Sequence, residues 1–168
     1  MNIVYLLATS SGLWGGMERH VFDLAGQMAQ RGHAVHVVAA AAYRPHCPAG
    51  VDLVAFDWGR HRWNPLLAWG LRRQLRRLAP HIVHAHGGKA AAILARAGWP
   101  AGTKAVGSVH GTKSQHRAYR RLHAVVAVSR QIAAGIRHPW VRVIHNGIAP
   151  RAAEAEGVRQ VREWMRGK

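Results

Sequence analysis

The chain has 168 residues, 49% of them apolar, with 24 Lys and Arg against 7 Asp and Glu, a formal charge of +17. This suits one domain with a sizeable core and excludes a disordered chain; no apolar run nears the roughly 20 residues that cross a bilayer. The single cysteine, Cys47, excludes an internal disulfide and a thiolate metal cluster.

Met1 leads directly into a strand-like run without a basic segment or cleavage site, so no signal peptide is read and a cytoplasmic address is expected. The positive charge attracts nucleic acid, anionic lipid headgroups and phosphorylated substrates alike. Richness in Arg, Ala and Gly also arises from genomic composition, so charge alone selects no partner.

Residues 3–8 read as a buried strand, broken by Thr9, Ser10, Ser11 and Gly12. The Gly15-Gly16 pair lets the backbone pass close to another group. A helix follows, burying Val21, Leu24, Ala25, Met28 and Ala29 on one face; Arg31-Gly32 ends it, and residues 34–40 form a second strand. The helix start points N–H groups at whatever lies above the strand ends, a place that favours an anion. A tight strand–helix connection accounts for the glycines equally well. A dinucleotide fingerprint is rejected, because the glycines do not fall as G-x-G-x-x-G and no acidic residue ends the second strand.

Residues 43–50 read as a loop and 51–56 as a third strand. A second loop, 57–64, carries Trp58, Arg60, His61, Arg62 and Trp63, and Pro65 opens a helix over 66–78. Leu67, Leu71, Leu75 and Leu78 give that helix a stripe to pack on a sheet. Arg72, Arg73, Arg76 and Arg77 lie mostly off it. With Trp63 and Trp69 they suit the surface of an anionic membrane.

Pro80 ends the helix, and residues 81–86 form a fourth strand on which His84 and His86 share a face. Gly87-Gly88-Lys89 turns into an alanine-rich helix ending at Ala97. Residues 105–109 form a fifth strand, closed by His110-Gly111-Thr112-Lys113, and a basic segment follows with His116, Arg117, Arg120, Arg121 and His123. Residues 124–128 form a sixth strand, Ser129 caps the next helix, and residues 141–144 form a seventh strand ending in His145-Asn146-Gly147. Domain 1–150 ends at Pro150, and residues 151–168 read as a polar helical linker.

Near-continuous apolar strands alternating with helices predict an α/β fold: a mostly parallel seven-stranded sheet with helices on both faces. Ligands of such sheets bind beyond the carboxyl ends of the strands. Ser10 to Gly16, His86 to Lys89, His110 to Lys113, Ser129-Arg130 and His145 to Gly147 collect there. His84, His86 and His110 have the types for a three-histidine metal site. Histidines at strand ends are more often hydrogen-bonded cleft residues, and no Asp-x-Asp occurs, so neither a metal nor a cofactor is expected.

Five stretches, in order, resemble a known family: WGGMERHVFDLAGQMAQRGHAVHVV, PHIVHAHGGKAAAILARA, SVHGT, AVVAVSRQIAAGI and VRVIHNGI. Together they resemble the N-terminal half of a GT-B-fold retaining glycosyltransferase of family four, the group with bacterial lipopolysaccharide and phosphoinositol-mannoside enzymes. The resemblance covers residues 1 to about 150. It implies a Rossmann-like domain that holds a glycan or lipid-linked acceptor, facing a second domain that binds the nucleotide-sugar donor.

By the same resemblance, Gly15 and Gly16 face the donor diphosphate and His110, the catalytic candidate, contacts the transferred sugar. His84, His86 and Lys89 line the acceptor side, and Ser10, Thr112 and Asn146 complete the candidate cleft. The family's donor-site basic pair and carboxylate motif belong to the second domain, absent from these 168 residues, so the chain alone is expected to be inactive. A position at the inner face of the plasma membrane follows from the glycolipid acceptors of the group. The rival reading is a non-catalytic basic module for nucleic acid or phosphorylated sugars. No helix-turn-helix, RNA-recognition or zinc pattern supports specific nucleic-acid binding.

Overall fold

Alternation of buried side chains at period two gives each apolar run two faces to cover. In a computed structural model, which describes residues 1–10, 12–111 and 116–147 and the single positions 163 and 165, both faces are covered. The strands are β1 (Asn2–Leu7), β2 (Ala34–Ala39), β3 (Val51–Ala55), β4 (Ile82–His86), β5 (Lys104–Val109), β6 (Ala124–Ala127) and β7 (Val141–Val143). Among the described residues they make one seven-stranded sheet in the order β3-β2-β1-β4-β5-β6-β7. Every neighbouring pair is parallel.

The helices are α1 (Gly16–Gln30), α2 (Pro65–Leu78), α3 (Gly87–Ala97) and the short α4 (Arg130–Ala134). One core layer lies under α1, where Ile3, Tyr5 and Leu7 of β1 meet Val21, Phe22 and Ala25. The other lies under α2 and α3, where Val4 and Leu6 meet Leu67, Leu71, Leu75, Ile93 and Leu94. Local signals set the helix starts. The Asn64 side chain accepts from the Leu66 N–H at 2.9 Å ahead of Pro65, and Ser129 accepts from the Ile132 N–H at 3.2 Å.

Three expectations need correction. The stretch 43–50 is not only loop, because Ala41–His46 forms a 3₁₀ helix that carries β2 to β3. Its Tyr43 is fully buried and donates to the Leu13 carbonyl at 3.0 Å, and its His46 stacks on Trp14 at 3.9 Å. The basic segment after β5 holds a second 3₁₀ helix, His116–Arg121, clamped by Tyr119, which is fully buried. Finally, α3 follows β4 without a loop. Gly87 makes the turn at φ 82°, and a side chain there would also meet Met17 Sδ at 3.2 Å. The 151–168 linker lies outside the described residues, apart from helical assignments at Glu163 and Met165.

Candidate functional site

The strand order reverses between β1 and β4, because β2 and β3 extend one way from β1 and β4 to β7 the other. The crevice of a parallel sheet opens at such a switch point, beyond the carboxyl ends of the strands. Four histidines gather here. His84 and His86 share the α1 face of β4, His110 follows β5, and His20 reaches down from the second turn of α1.

His86 Nδ1 and His110 Nε2 are 3.1 Å apart, and His84 Nε2 and Ser108 Oγ are 2.8 Å apart. The His84 and His86 rings lie 4.2 Å apart, and His20 stands edge-on to His110 at 5.5 Å. Tyr5, paired in register with His84, contacts both β4 rings at 5.7 Å.

Burial dominates the electrostatics. It pushes His84 down to about 3, with His110 and His20 adding repulsion. Burial and the neighbouring rings drive His86 well below its ordinary range. Burial and His20 push His110 down to about 4 against an opposing pull from Glu18. His20 is lowered by burial, partly offset by Asp23. The four imidazoles are therefore neutral at pH 7.

His86 Nε2 is buried without a partner among the described residues. A bare lone pair is less costly to bury than an unpaired N–H, so the proton of His86 belongs on Nδ1, where it is donated to His110 Nε2. That assignment puts the proton of His110 on Nδ1, a donor with no partner among the described residues. The pair thus presents one neutral N–H at the end of β5.

The glycine turn is built differently from the sequence expectation. The Gly15 N–H does not stand open, because it donates to Glu18 Oε2 at 3.2 Å, and Thr9 Oγ1 donates to Glu18 Oε1 at 2.8 Å. Glu18, only 7% exposed, fills the first turn of α1 where the helix dipole favours a carboxylate. At Gly16 an added Cβ meets nothing within 4 Å, so the turn stays open there.

The other candidate residues lie elsewhere. The Lys89 ammonium donates to the Trp58 carbonyl, and burial and Arg62 lower its pKa while Asp57 raises it. Ser10 lines a separate pocket of about 340 Å³ with Ala40, Phe56, Asp57 and Trp58 at the ends of β1 to β3. Asn146 is exposed beyond the edge strand β7. Thr112 lies outside the described residues.

Trp63 and Trp69 part company: Trp63 lies against Arg96, 5.1 Å from guanidinium to ring centre, whereas Arg73 sits 6.0 Å from Trp69. His20 and Glu18 were missed in the sequence, although both sit in the first motif quoted above. Their place on the first two turns of α1, nearest the strand ends, was the available signal. Among the described residues no three His, Cys, Asp or Glu side chains are placed to hold a metal ion.

A doubly covered parallel sheet with its polar residues gathered at the switch point defines a Rossmann-like domain with a ligand crevice. The profile of Glycosyltransferase Family 4 matches residues 14–151, and the chain belongs to that family. A search of curated proteins found no sequence match.

Among solved structures, HepE from Anabaena in complex with UDP is 21% identical with a TM-score of 0.65, covering 98% of this chain and 50% of that one. HepE with UDP and glucose gives 20% and 0.65, with 97% and 49% covered. A glycosyltransferase from Rickettsia africae gives 16% and 0.69, with 98% and 49% covered. The chain thus spans about half the length of these structures and has their GT-B half-fold.

Proposed function

We propose that this chain is the acceptor-holding domain of a retaining glycosyltransferase. Its reaction moves a sugar from a nucleotide-sugar donor to a glycan or lipid-linked acceptor in cell-envelope polysaccharide synthesis. The observation that carries the reading is the neutral His86–His110 pair at the switch point, beside the Gly15-Gly16 turn, within a family 4 domain. The Nδ1–H of His110 is a neutral donor suited to a hydroxyl of the transferred ring. Negative charge grows on the departing diphosphate, and backbone N–H groups at the open side of Gly16 are suited to it. The complexes of HepE with UDP, and with UDP and glucose, support a donor of that class. The reading calls for no metal and no cofactor.

A second domain binds most of the donor on this reading, so the 168-residue chain by itself is expected to turn over none. The acceptor brings the protein to the inner face of the plasma membrane as a peripheral, cytoplasmic enzyme. Support for this comes from the basic, tryptophan-bearing face of α2; no helix among the described residues is long and apolar enough to cross a membrane.

The test is His110→Ala in a two-domain form of the enzyme, assayed for transfer and for donor hydrolysis with UDP-glucose and other nucleotide sugars. Loss of a single aimed donor is expected to cost on the order of 10²-fold in kcat, with the thermal transition of the folded protein retained. Near wild-type turnover by the folded variant would overturn the role given to His110, and absence of any transfer by the wild type would overturn the reading as a whole.

A further inference from the structure

A pocket of about 310 Å³ lies between the loop after β3, the outer face of α3 and the second 3₁₀ helix. Its walls carry Arg62, Arg96, Arg117 and Arg121, its floor is Gly88 with alanines of α3, and Trp63 closes one side. That volume is at the lower end of small-molecule sites, which span roughly 300–1,000 Å³. No carboxylate among the described residues lines it, and the one ion pair among them, His36 with Asp52, lies on β2 and β3.

Four guanidinium groups around one small cavity repel one another unless an anion joins them, and guanidinium forks fit the oxygens of phosphate and carboxylate. The Trp63 ring, with the Arg96 guanidinium 5.1 Å over its centre and 60% exposed, offers an apolar face of the kind that C–H groups of a sugar ring cover. Gly88 lies in the first turn of α3, at the carboxyl end of β4, so the pocket opens at the same end of the sheet as the histidine pair, on the α3 side whereas the rings lie on the α1 side.

We propose that this pocket holds the anionic group of the acceptor, which is a phosphorylated or carboxylated sugar packed against Trp63. The proposal rests on reading the chain as an acceptor-holding domain and names the acceptor's chemistry. It makes Arg62, Arg96, Arg117 and Arg121 specificity residues that discriminate acidic from neutral sugars.

The test is calorimetric titration of the chain with glucose 6-phosphate, glucuronate, glucose and inorganic phosphate. Both acidic sugars are expected to bind one to one, about tenfold or more tighter than glucose or inorganic phosphate alone, as charge-assisted hydrogen bonds and ring contact together require. The pair Arg96→Ala with Arg121→Ala should weaken the acidic sugars by about tenfold or more. Arg31→Ala with Lys104→Ala, which removes the same charge at the opposite end of the sheet, should change binding less than about twofold.

Trp63→Ala should weaken glucose 6-phosphate and leave inorganic phosphate unchanged. Equal losses in the two double variants would reduce the effect to net charge and overturn the proposal. So would inorganic phosphate binding as tightly as the sugar phosphate, or no saturable binding at all. Donor hydrolysis without acceptor, measured on a two-domain form, separates the two readings. Absence of both hydrolysis and transfer strikes the transferase assignment, whereas either one beside failed sugar binding strikes the pocket alone.

Discussion

A glycine shows its purpose by what a side chain would meet in its place. At Gly15 an added Cβ would lie 2.8 Å from Glu18 Oε2, so a side chain there would push the buried carboxylate aside. At Gly16 no described residue lies within 4 Å of an added Cβ and the backbone is not left-handed, so the described fold does not require glycine there. A requirement for glycine there is then expected from a ligand. Gly16→Val should therefore keep the thermal transition within a few degrees of wild type, since a β-branched residue at a helix start costs well under ~1 kcal/mol. In a two-domain enzyme it should raise KM for the donor by about tenfold or more, through crowding of the diphosphate. Unchanged donor kinetics would take Gly16 out of the donor site. The period-two rule made the shared face of His84 and His86 readable in the sequence. Their meeting with His110 and His20 was not readable, because it depends on β5 lying beside β4 and on the tilt of α1 over both.

The α2 helix was the most readable element, bounded by Pro65 and Pro80, its leucine stripe buried as expected except for a half-buried Leu78. What the stripe alone did not reveal is how orderly the other side is. Trp69, Arg72, Arg73, Arg76 and Arg77 follow the i, i+3, i+4, i+7, i+8 spacing and line one open surface together. The 3₁₀ helix at Ala41–His46 was hidden for the opposite reason. Two prolines and a glycine between residues 45 and 50 look like loop, and Tyr43 is buried only through distant contacts with Leu13, Trp14 and Phe22. The α2 surface leads to a measurable expectation. Each basic residue near an anionic bilayer contributes about 1 kcal/mol, so four arginines with the ring of Trp69, which is 62% exposed, should hold the chain on phosphatidylglycerol vesicles at low salt. In sedimentation assays Trp69→Ser should weaken vesicle binding and leave binding to DNA nearly unchanged, because only the bilayer takes up the ring. No association with anionic vesicles at low salt would remove the membrane role of this face.

At the scale of the whole molecule, the parallel sheet and its two covered faces were readable from alternation, but the strand order was not. Local sequence does not mark that α2 returns the chain to the free side of β1, and that return creates the switch point where the histidines meet. Burying several titratable rings there has a global consequence. In the folded chain His84 stands at about 3 and His110 at about 4, and His86 is lower than its ordinary range, all because burial penalises the charged ring. In the unfolded chain the same groups return to about 6.5. Between these values the unfolded state binds protons that the folded state refuses, so stability rises with pH over that window. It is fully present above roughly pH 6.5 and is lost as pH falls towards the folded-state values. The buried His84 ring contributes on the order of 2 kcal/mol to the loss between pH 7 and pH 5, and His86 and His110 add to it in the same direction. The groups facing the cluster, Tyr5, Ser108, Glu18 on the His110 side and Asp23 beside His20, supply too little opposing charge to cancel it. Urea unfolding at pH 7, 6 and 5 should accordingly show a steep fall in stability. His110→Asn, which removes one titrating ring from a half-buried position, should lessen that fall by about one ring's contribution. A wild-type curve flat from pH 7 to 5 would mean that the rings accept protons without unfolding. An equally steep one in the variant would take His110 out of the linkage, and either would remove the neutral His86–His110 pair from the folded state.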